Sequence, residues 1–464
     1  MTLRPRAPAR IPREIAFLAR QGIPLGALLG AGRRAWELGV TADLVLISSG
    51  WIDEITYYRL LARRLGARFV ERPMVLPEAI PWREAMRTGV LPLPDGCWLM
   101  APRGRAVRLL FKRITPQLPR DRIFLATPAV FAASLRASFG PAIMDSVSEQ
   151  LVRTDPNMSA HSGAHAGQQI FACVALSMAI LGASFGGTVW SLACAGFGLC
   201  MFMAVMLRLQ AALSTCAGPP FQAPALADFA LPTYTVLIAL YREAAVAPRL
   251  AAAMAAIDYP AVKLEIIFLL EADDHGTQAA LRAQNLPAHA SILVVPDGTP
   301  RTKPRALNYG LLAARGSLLV IYDAEDQPEP DQLRKGAAAF AGGAADVACL
   351  QASLAIDNLR DTWLTRLFAI DYAGLFDVFN PGLALLDVPV PLGGTSNHFR
   401  TDVLRRIGGW DAWNVTEDAD LGLRLARFGY RTRMLPSTTW EEAPLILRNW
   451  FPQRRRWMKG WMHP

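Results

Sequence analysis

From Pro156 to Leu207 the chain has no aspartate, glutamate, lysine or arginine. Its apolar part, Ile170 to Leu207, exceeds the roughly 20 residues that one helix needs to cross a bilayer. Phe185-Gly-Gly187 interrupts that run. Two helices therefore fit better, about 170–185 (starting as early as Ala166) and 188–207, as a transmembrane helical hairpin over 166–208. Arg153 before the pair and Arg208 after it place both ends on the cytoplasmic side. Cysteine is also scarce. The six present show no CxxC spacing, which argues against a disulfide framework and suits a reducing compartment. Cys173, Cys194 and Cys200 fall inside the apolar stretch and read as small buried hydrophobes. Met1 to Arg20 carries positive charge but no continuous apolar segment before a small-residue cleavage site, so a secretory leader is not the expectation there.

What is present is a 464-residue chain, 52% apolar, with mean hydropathy +0.22 and formal charge +9. Two or three domains are the expectation at this length. The charge is uneven: Arg448, Arg454, Arg455, Arg456 and Lys459 crowd the final segment among Trp450, Trp457 and Trp461. A basic, aromatic end suits an anionic lipid surface or a phosphorylated ligand. No nucleic-acid fold signature accompanies it, so nucleic acid is not an expected partner.

Four segments follow: an α/β N-terminal regulatory or docking domain over 1–150, the hairpin, a domain over 230–447, and a basic interfacial helix over 448–464. In the first, Glu54–Leu65 has helical spacing with Ile55, Tyr58, Leu61 and Leu65 near one face. Strands are expected at Ala67–Val70, Trp98–Ala101 and Arg122–Ala126, with a helix starting at Thr127-Pro128. Pro219-Pro220 through Pro232 is a linker. Beyond it strands and helices alternate. Strands are expected at Tyr234–Tyr241, Leu264–Leu270, Ser291–Val295, Ser317–Tyr322 and Val347–Ala352. Helices are expected at Ala244–Ile257, Thr277–Asn285, Ala306–Ala314 and Pro330–Phe340. Such alternation implies βαβ units, hence an α/β fold with a mostly parallel sheet and flanking helices. Ligands of such sheets sit beyond the carboxyl ends of the strands.

Two acidic motifs fall at those ends. Asp273-Asp274 follows Ile266–Leu270 and could bind a base or ribose, or serve as a turn or helix cap. Asp323-Ala-Glu325-Asp326 follows Leu318–Tyr322, and carboxylates spaced by two on a turn can share Mg²⁺ whose shell is completed by phosphates and water. Arg301-Thr-Lys303-Pro-Arg305 offers a cation for a diphosphate. Thr416-Glu417-Asp418 opens an amphipathic helix with Leu421, Leu423, Leu425 and Phe428. Threonine at the N-cap and acids in the first turn explain it structurally, and Asp418 as general base explains it chemically. Gln453-Arg-Arg-Arg456-Trp457 combines phosphate-binding guanidinium groups with a flat face for a sugar ring. Together these supply what sugar transfer from a nucleotide to a hydroxyl requires.

The order of these motifs resembles the membrane-bound processive glycosyltransferases of family 2, the bacterial cellulose synthase-like group, over about 230–464 plus the hairpin. The carriers are Glu271-Ala-Asp-Asp-His-Gly-Thr277, Lys303-Pro-Arg-Ala-Leu-Asn308, Tyr322-Asp-Ala-Glu-Asp326, Gly393-Gly-Thr-Ser-Asn-His398, Thr416-Glu-Asp418 and Gln453-Arg-Arg-Arg-Trp457. The resemblance implies a glycosyltransferase A-like fold and an inverting hexosyl transfer. The donor is a UDP-sugar such as UDP-glucose, the acceptor a growing β-linked glycan, and the place the cytoplasmic face of a bacterial inner membrane. It implies nucleotide-sugar contacts from Asp273, Asp274, Lys303, Gln453 and Arg456, and Mg²⁺ or Mn²⁺ at Asp323, Glu325 and Asp326. Glutamate at the second metal position departs from the family pattern. Acceptor contacts are implied from the segment 393–398, with Gly394, Thr395 and Ser396, and from Glu417 and Trp457, with Asp418 as base. Alternatives are single transfer onto a lipid carrier and a weakly active nucleotide-sensing scaffold. Family members continue past this last motif into further membrane helices, and one hairpin cannot form a conduit. A channel or regulatory subunit, further helices beyond Pro464, or an enzyme that does not secrete would each accommodate that. Residues 54–140 resemble the N-terminal domain of type II secretion ATPases (MshE-type) through Leu61-Ala-Arg-Arg-Leu-Gly66 and Ala126-Thr-Pro-Ala-Val-Phe131. Some of those domains bind cyclic di-GMP. The repeated Arg-Leu-Gly pattern is not evident here, so docking or regulation is the expectation.

Overall fold

The computed structural model describes residues 10–77, 80–117, 120–163, 166–185, 187–217 and 224–461. Met1 to Ala9 and the linker's Pro219-Pro220 lie outside them. The chain divides into two compact units: 1–147 with 224–301 and 306–324, and 148–223 with 302–305 and 325–464.

The first unit holds two sheets. Strands β1 (Arg68–Val70), β2 (Val90–Pro92), β3 (Trp98–Met100) and β4 (Ile123–Ala126) pair in the order β1-β4-β3-β2. Glu54–Leu65 is helical as expected, capped by Asp53, whose side chain accepts from the Thr56 N–H. Its buried face is Tyr57, Tyr58, Leu61, Ala62 and Leu65. Ile55 is 54% exposed, because two tyrosines with buried hydroxyl partners turn the helix instead. Thr127 Oγ1 accepts from the Val130 N–H, starting the helix Pro128–Thr154 as read from Thr-Pro.

The second sheet of this unit runs β5 (Tyr234–Leu240), β6 (Leu264–Glu271), β7 (Ala290–Val295) and β8 (Leu318–Tyr322), in the order β7-β6-β5-β8, all parallel. Every residue of β6 and β8 is buried, which is why these runs are apolar without alternation. Beneath the strands, Glu265 is paired with Arg315 and accepts from Thr235 Oγ1 at 2.8 Å. Val262, just before β6, packs on the N-terminal core built around Leu61, Tyr58 and Leu125.

In the second unit, β9 (Gln327–Pro328), β10 (Val347–Ile356), β11 (Asn397–Arg400) and β12 (Arg431–Glu441) pair in the order β11-β10-β12-β9, with only β10–β12 parallel. Helices α1 (Ala166–Phe185) and α2 (Thr188–Ala217) are long and apolar enough to cross a membrane. They cross where Gly182 lies against Trp190. The second continues past the expected Leu207 because Ala211 docks in a small core with Leu383, Ala384 and Val390. Cys173, Cys194 and Cys200 are exposed on this hairpin rather than buried, since its faces carry no protein cover; among the described residues the buried thiol is Cys349. Further along come α3 (Trp363–Ala373), a π-helical turn (Gly374–Phe379), α4 (Asn380–Leu385), α5 (Glu417–Arg427) and α6 (Leu447–Trp461). Trp363, Leu367 and Ile370 of α3 and Leu447, Phe451 and Met458 of α6 are exposed.

Candidate active site

The parallel strands of the first unit bring acids to their carboxyl ends, and local geometry separates the two members of Asp273-Asp274. Asp274 caps the helix His275–Arg282: its Oδ1 accepts from the Thr277 N–H at 3.1 Å and its Oδ2 from the Arg242 N–H. Burial pushes its pKa up, but those hydrogen bonds outweigh burial and hold it below the usual carboxylate range. Asp273 is 40% exposed. It pairs with Arg301 at 2.6 Å, and that guanidinium also reaches the Tyr241 hydroxyl at 3.3 Å. Arg242 and Arg301 flank the Tyr241 ring at 5.0 and 5.8 Å from its centre. An exposed carboxylate, a tyrosine ring and two guanidinium groups thus stand together at the carboxyl ends of these strands.

Asp323 follows β8 in the same unit. Close to it, Glu243 has its pKa raised, by burial first and then by the charges of Asp323 and Asp274. This concentration of negative charge would favour a cation.

In the second unit, Lys303 Nζ donates to the Gly394 carbonyl at 2.7 Å. Asp418, 6% exposed, lies on the other side of the same residue: a Cβ placed on Gly394 would be 3.8 Å from its Oδ2. Three expected site residues therefore meet. Buried polar groups fix the segment around Gly394. Gly393 N–H donates to Gln351 Oε1 at 2.8 Å, Gln351 Nε2 to the Thr395 carbonyl at 3.0 Å, and Asn397 Nδ2 to the Gly393 carbonyl at 2.6 Å. Thr395 and Ser396 turn inward: Thr395 Oγ1 donates to Asp326 Oδ2, and Ser396 Oγ to Thr439 Oγ1 at 2.7 Å. His398 is fully buried against Gln332 Oε1, and burial lowers its pKa to about 3, so it is neutral. Gly394, by contrast, has Asp418 within 4 Å of where a Cβ would stand.

Asp326 is 1% exposed and engaged by Thr395, whereas Glu325 is half-buried. Among the described residues no three of His, Cys, Asp and Glu gather as a metal cage. The donor set of the acidic motif fits one or two carboxylates with phosphate and water, the arrangement magnesium accepts, rather than a three-acid cage.

Thr416 stands at the N-cap of α5, yet its hydroxyl caps nothing; Thr416 N–H and Oγ1 instead bond Asn414 Oδ1 at 3.0 and 3.3 Å. Glu417 and Asp418 are buried in the first turn. On α6, Gln453 Oε1 is buried with no hydrogen-bond donor among the described residues. Trp457 is half-buried, with the Arg454 guanidinium 4.5 Å from its ring centre and Phe368 at 6.3 Å. Arg454 also pairs with Asp371 at 2.7 Å, while Arg456 is exposed.

Tyr241, Arg242 and Glu243 escaped the sequence reading, although they follow a strand end just as Asp273 does.

A glycosyltransferase is the class that the sequence match defines. Residues 232–460 match the model for glycosyltransferase-like family 2, and this part of the chain is a glycosyltransferase family 2 domain of the α/β, glycosyltransferase A-like fold. The chain is 37% identical over 68 residues to the probable glycosyltransferase YdaM of Bacillus subtilis (strain 168), a match covering 14% of this chain and 16% of that relative. Among solved structures, mannosyltransferase PcManGT from Pyrobaculum calidifontis, in complex with GDP-Man and Mn²⁺, is 22% identical with TM-score 0.45, covering 59% of this chain and 72% of that one. S. aureus TarS 1–349 in complex with UDP-GlcNAc is 15% identical with TM-score 0.35, covering 46% of this chain and 59% of that one.

Proposed function

We propose that this chain is an inverting transferase that moves a sugar, glucose in the first instance, from a UDP-sugar to a growing β-linked glycan at the cytoplasmic face of a bacterial inner membrane. The observation that carries this reading is Gly394, which has the Lys303 ammonium on its carbonyl and the Asp418 carboxylate against its Cα. A cation for a leaving diphosphate and a base for an attacking hydroxyl share one residue.

Asp418 takes the proton of the acceptor hydroxyl, whose oxygen attacks the anomeric carbon. The bond from that carbon to the diphosphate oxygen breaks, and UDP leaves with the electron pair. Lys303 offsets the charge that develops on the diphosphate. Asp273, with Arg301 and Tyr241, holds the nucleoside, while Asp274 shapes the turn beneath it. Mg²⁺ or Mn²⁺, held at Asp323 with Glu325 beside it in sequence, supplies further positive charge to the diphosphate when bound. Gln453 Oε1 offers an acceptor for a sugar hydroxyl, Arg456 a cation for the donor, and Trp457 with Glu417 the edge of the acceptor path.

The hairpin and the exposed apolar faces of α3 and α6 seat the enzyme on the bilayer. Residues 10–147, with their own core, serve docking or regulation. A single transfer onto a lipid carrier is the second reading. It is favoured by the apolar recess of Trp363, Leu367, Leu447 and Trp450, which ends at Arg454.

The deciding experiment is nucleotide release by membrane-embedded protein with Mg²⁺ or Mn²⁺, across UDP-glucose, UDP-N-acetylglucosamine and GDP-mannose, with product sizing. Turnover with one donor, lost in Asp418→Asn, supports transfer with Asp418 as base. A long product supports the polymerase and a single added sugar the lipid-carrier reading. No turnover with any donor, in protein shown to be folded, argues for the scaffold.

A further inference from the structure

The segment that leads from Thr154 towards the membrane hairpin is fastened to the turn that precedes the base. Asp411, 1% exposed, accepts from Ser159 Oγ at 2.9 Å through Oδ1 and from the Ala160 N–H at 2.7 Å through Oδ2. Its Oδ1 also accepts from the Trp413 N–H at 3.1 Å. Ser159 is itself buried, and its Oγ accepts from the His161 N–H at 3.2 Å, so the hydroxyl is held from both sides. His161 stands edge-on to Trp413 at 4.5 Å between ring centres, and Trp413 Nε1 donates to the Ser148 carbonyl at 3.2 Å.

The same turn reaches the chemistry in both directions. Thr302 Oγ1, one residue before Lys303, donates to the Ala412 carbonyl at 2.8 Å. Asn414 Oδ1 accepts from the Thr416 N–H, two residues before Asp418. On α5, Arg424 is buried, pairs with Asp420 at 3.0 Å and donates to the carbonyls of Ile407 and Gly409, which ties the helix to the near end of the turn. Asp411 and the strap fix the first residues of the turn itself.

We propose that Asp411 is a positioning residue, through which the strap 155–161 sets the place of the 411–416 turn and thereby of Asp418. This rests on Asp418 being the base. A buried carboxylate that spends both oxygens on a segment distant in sequence links the membrane anchor to the reacting end of the domain. A displaced strap acts on the 411–416 turn first, so turnover responds before nucleotide binding does. A misplacement of about 1 Å can cost 10²-fold in rate.

Two variants break the two bonds separately. Asp411→Asn leaves an oxygen for Ser159 but turns an amide N–H₂ against the Ala160 N–H. Ser159→Ala removes the hydroxyl and leaves the carboxylate. Full-length protein in lipid nanodiscs is assayed with the donor that the wild type turns over, with Asp418→Asn alongside, and hydrogen–deuterium exchange is followed without substrate. Each variant is expected to lower kcat about tenfold with KM for the donor within about twofold. The double variant should fall little further than the worse single one, because the two bonds act as one unit. Exchange should accelerate in peptides covering 411–420 and stay at the wild-type rate in 264–271, and Ser159→Thr should restore kcat. Wild-type kcat and exchange in both single variants, beside an inactive Asp418→Asn, would overturn the strap alone. Donor KM rising in step with the loss of kcat would also overturn it, reducing Asp411 to general support. An active Asp418→Asn would remove the base assignment itself, and the strap proposal with it.

Discussion

A Cβ placed on Gly460 would stand 2.7 Å from the Cβ of Thr416, so the last turn of α6 meets the base turn at a separation that only glycine permits. The helix bearing Gln453 and Trp457 is thereby seated against the residue two positions before Asp418. Gly460→Ala is expected to push the two apart, lowering kcat at least tenfold while leaving nucleotide affinity close to wild type. Steady-state kinetics alongside calorimetric titration with UDP checks this. An equal loss in both would place the damage in the fold as a whole.

Lys303 is expected to act on the departing diphosphate. Lys303→Met keeps the length of the chain and removes the charge, so kcat/KM for the donor should fall about 10²–10³-fold, the range seen when one stabilising donor is deleted from a site. Lys303→Arg should recover part of it. Retention of full activity in the Met variant would remove Lys303 from the chemistry.

Asp323 lies close enough to Glu243 for its charge to raise the Glu243 pKa, after burial and together with Asp274. Chelation by EDTA should abolish turnover, and Mg²⁺ or Mn²⁺ should restore it. In Asp323→Asn the metal concentration for half-maximal activity should rise at least tenfold. Metal-independent turnover would contradict this assignment.

Asp43, in the N-terminal region, has its pKa raised to about 6 by burial, with the charge of Glu14 adding to it. The native state therefore holds this proton more tightly than the unfolded chain does. Its contribution to stability is complete below the ordinary value of 3.8 and is lost as pH rises through about 6. Asp43→Asn, which cannot ionise, should raise the free energy of unfolding at pH 7 by up to about 3 kcal/mol, and with it the melting temperature, and change both little at pH 4. Thermal unfolding at the two pH values tests this, and an identical difference at both would contradict it.

Gly382 faces the backbone of Ala211, whose Cα would be 2.5 Å from an added Cβ. Gly382→Ala should loosen α2 from α4 without touching the donor strands. Limited proteolysis after residue 217 should quicken while UDP affinity stays the same.

The strands were legible because a parallel strand buried on both faces must be a continuous apolar run; β6 and β8 lie within a residue of where those runs end. The hairpin was legible for the same reason, from uninterrupted absence of charge. The acids at 273 and 323 could be placed because they terminate such runs. Their division of labour could not. Asp273 and Asp274 are alike in sequence, and only the positive-φ backbone of Arg242 and the N–H of Thr277 turn one of them into a cap.

The succession of parallel strands, the two long apolar helices and the residue types needed for sugar transfer were written in local composition and period, where each residue's neighbours in sequence are also its physical environment. Which acid faces the solvent, that Asp326 is taken up by Thr395, that Lys303 and Asp418 meet at Gly394, and that Asp411 holds Ser159 were decided by tertiary structure alone. The bonds Thr395–Asp326, Lys303–Gly394 and Ser159–Asp411 join residues 69, 91 and 252 positions apart. Hydrogen-bond geometry and close packing at that range leave no periodic trace in a sequence.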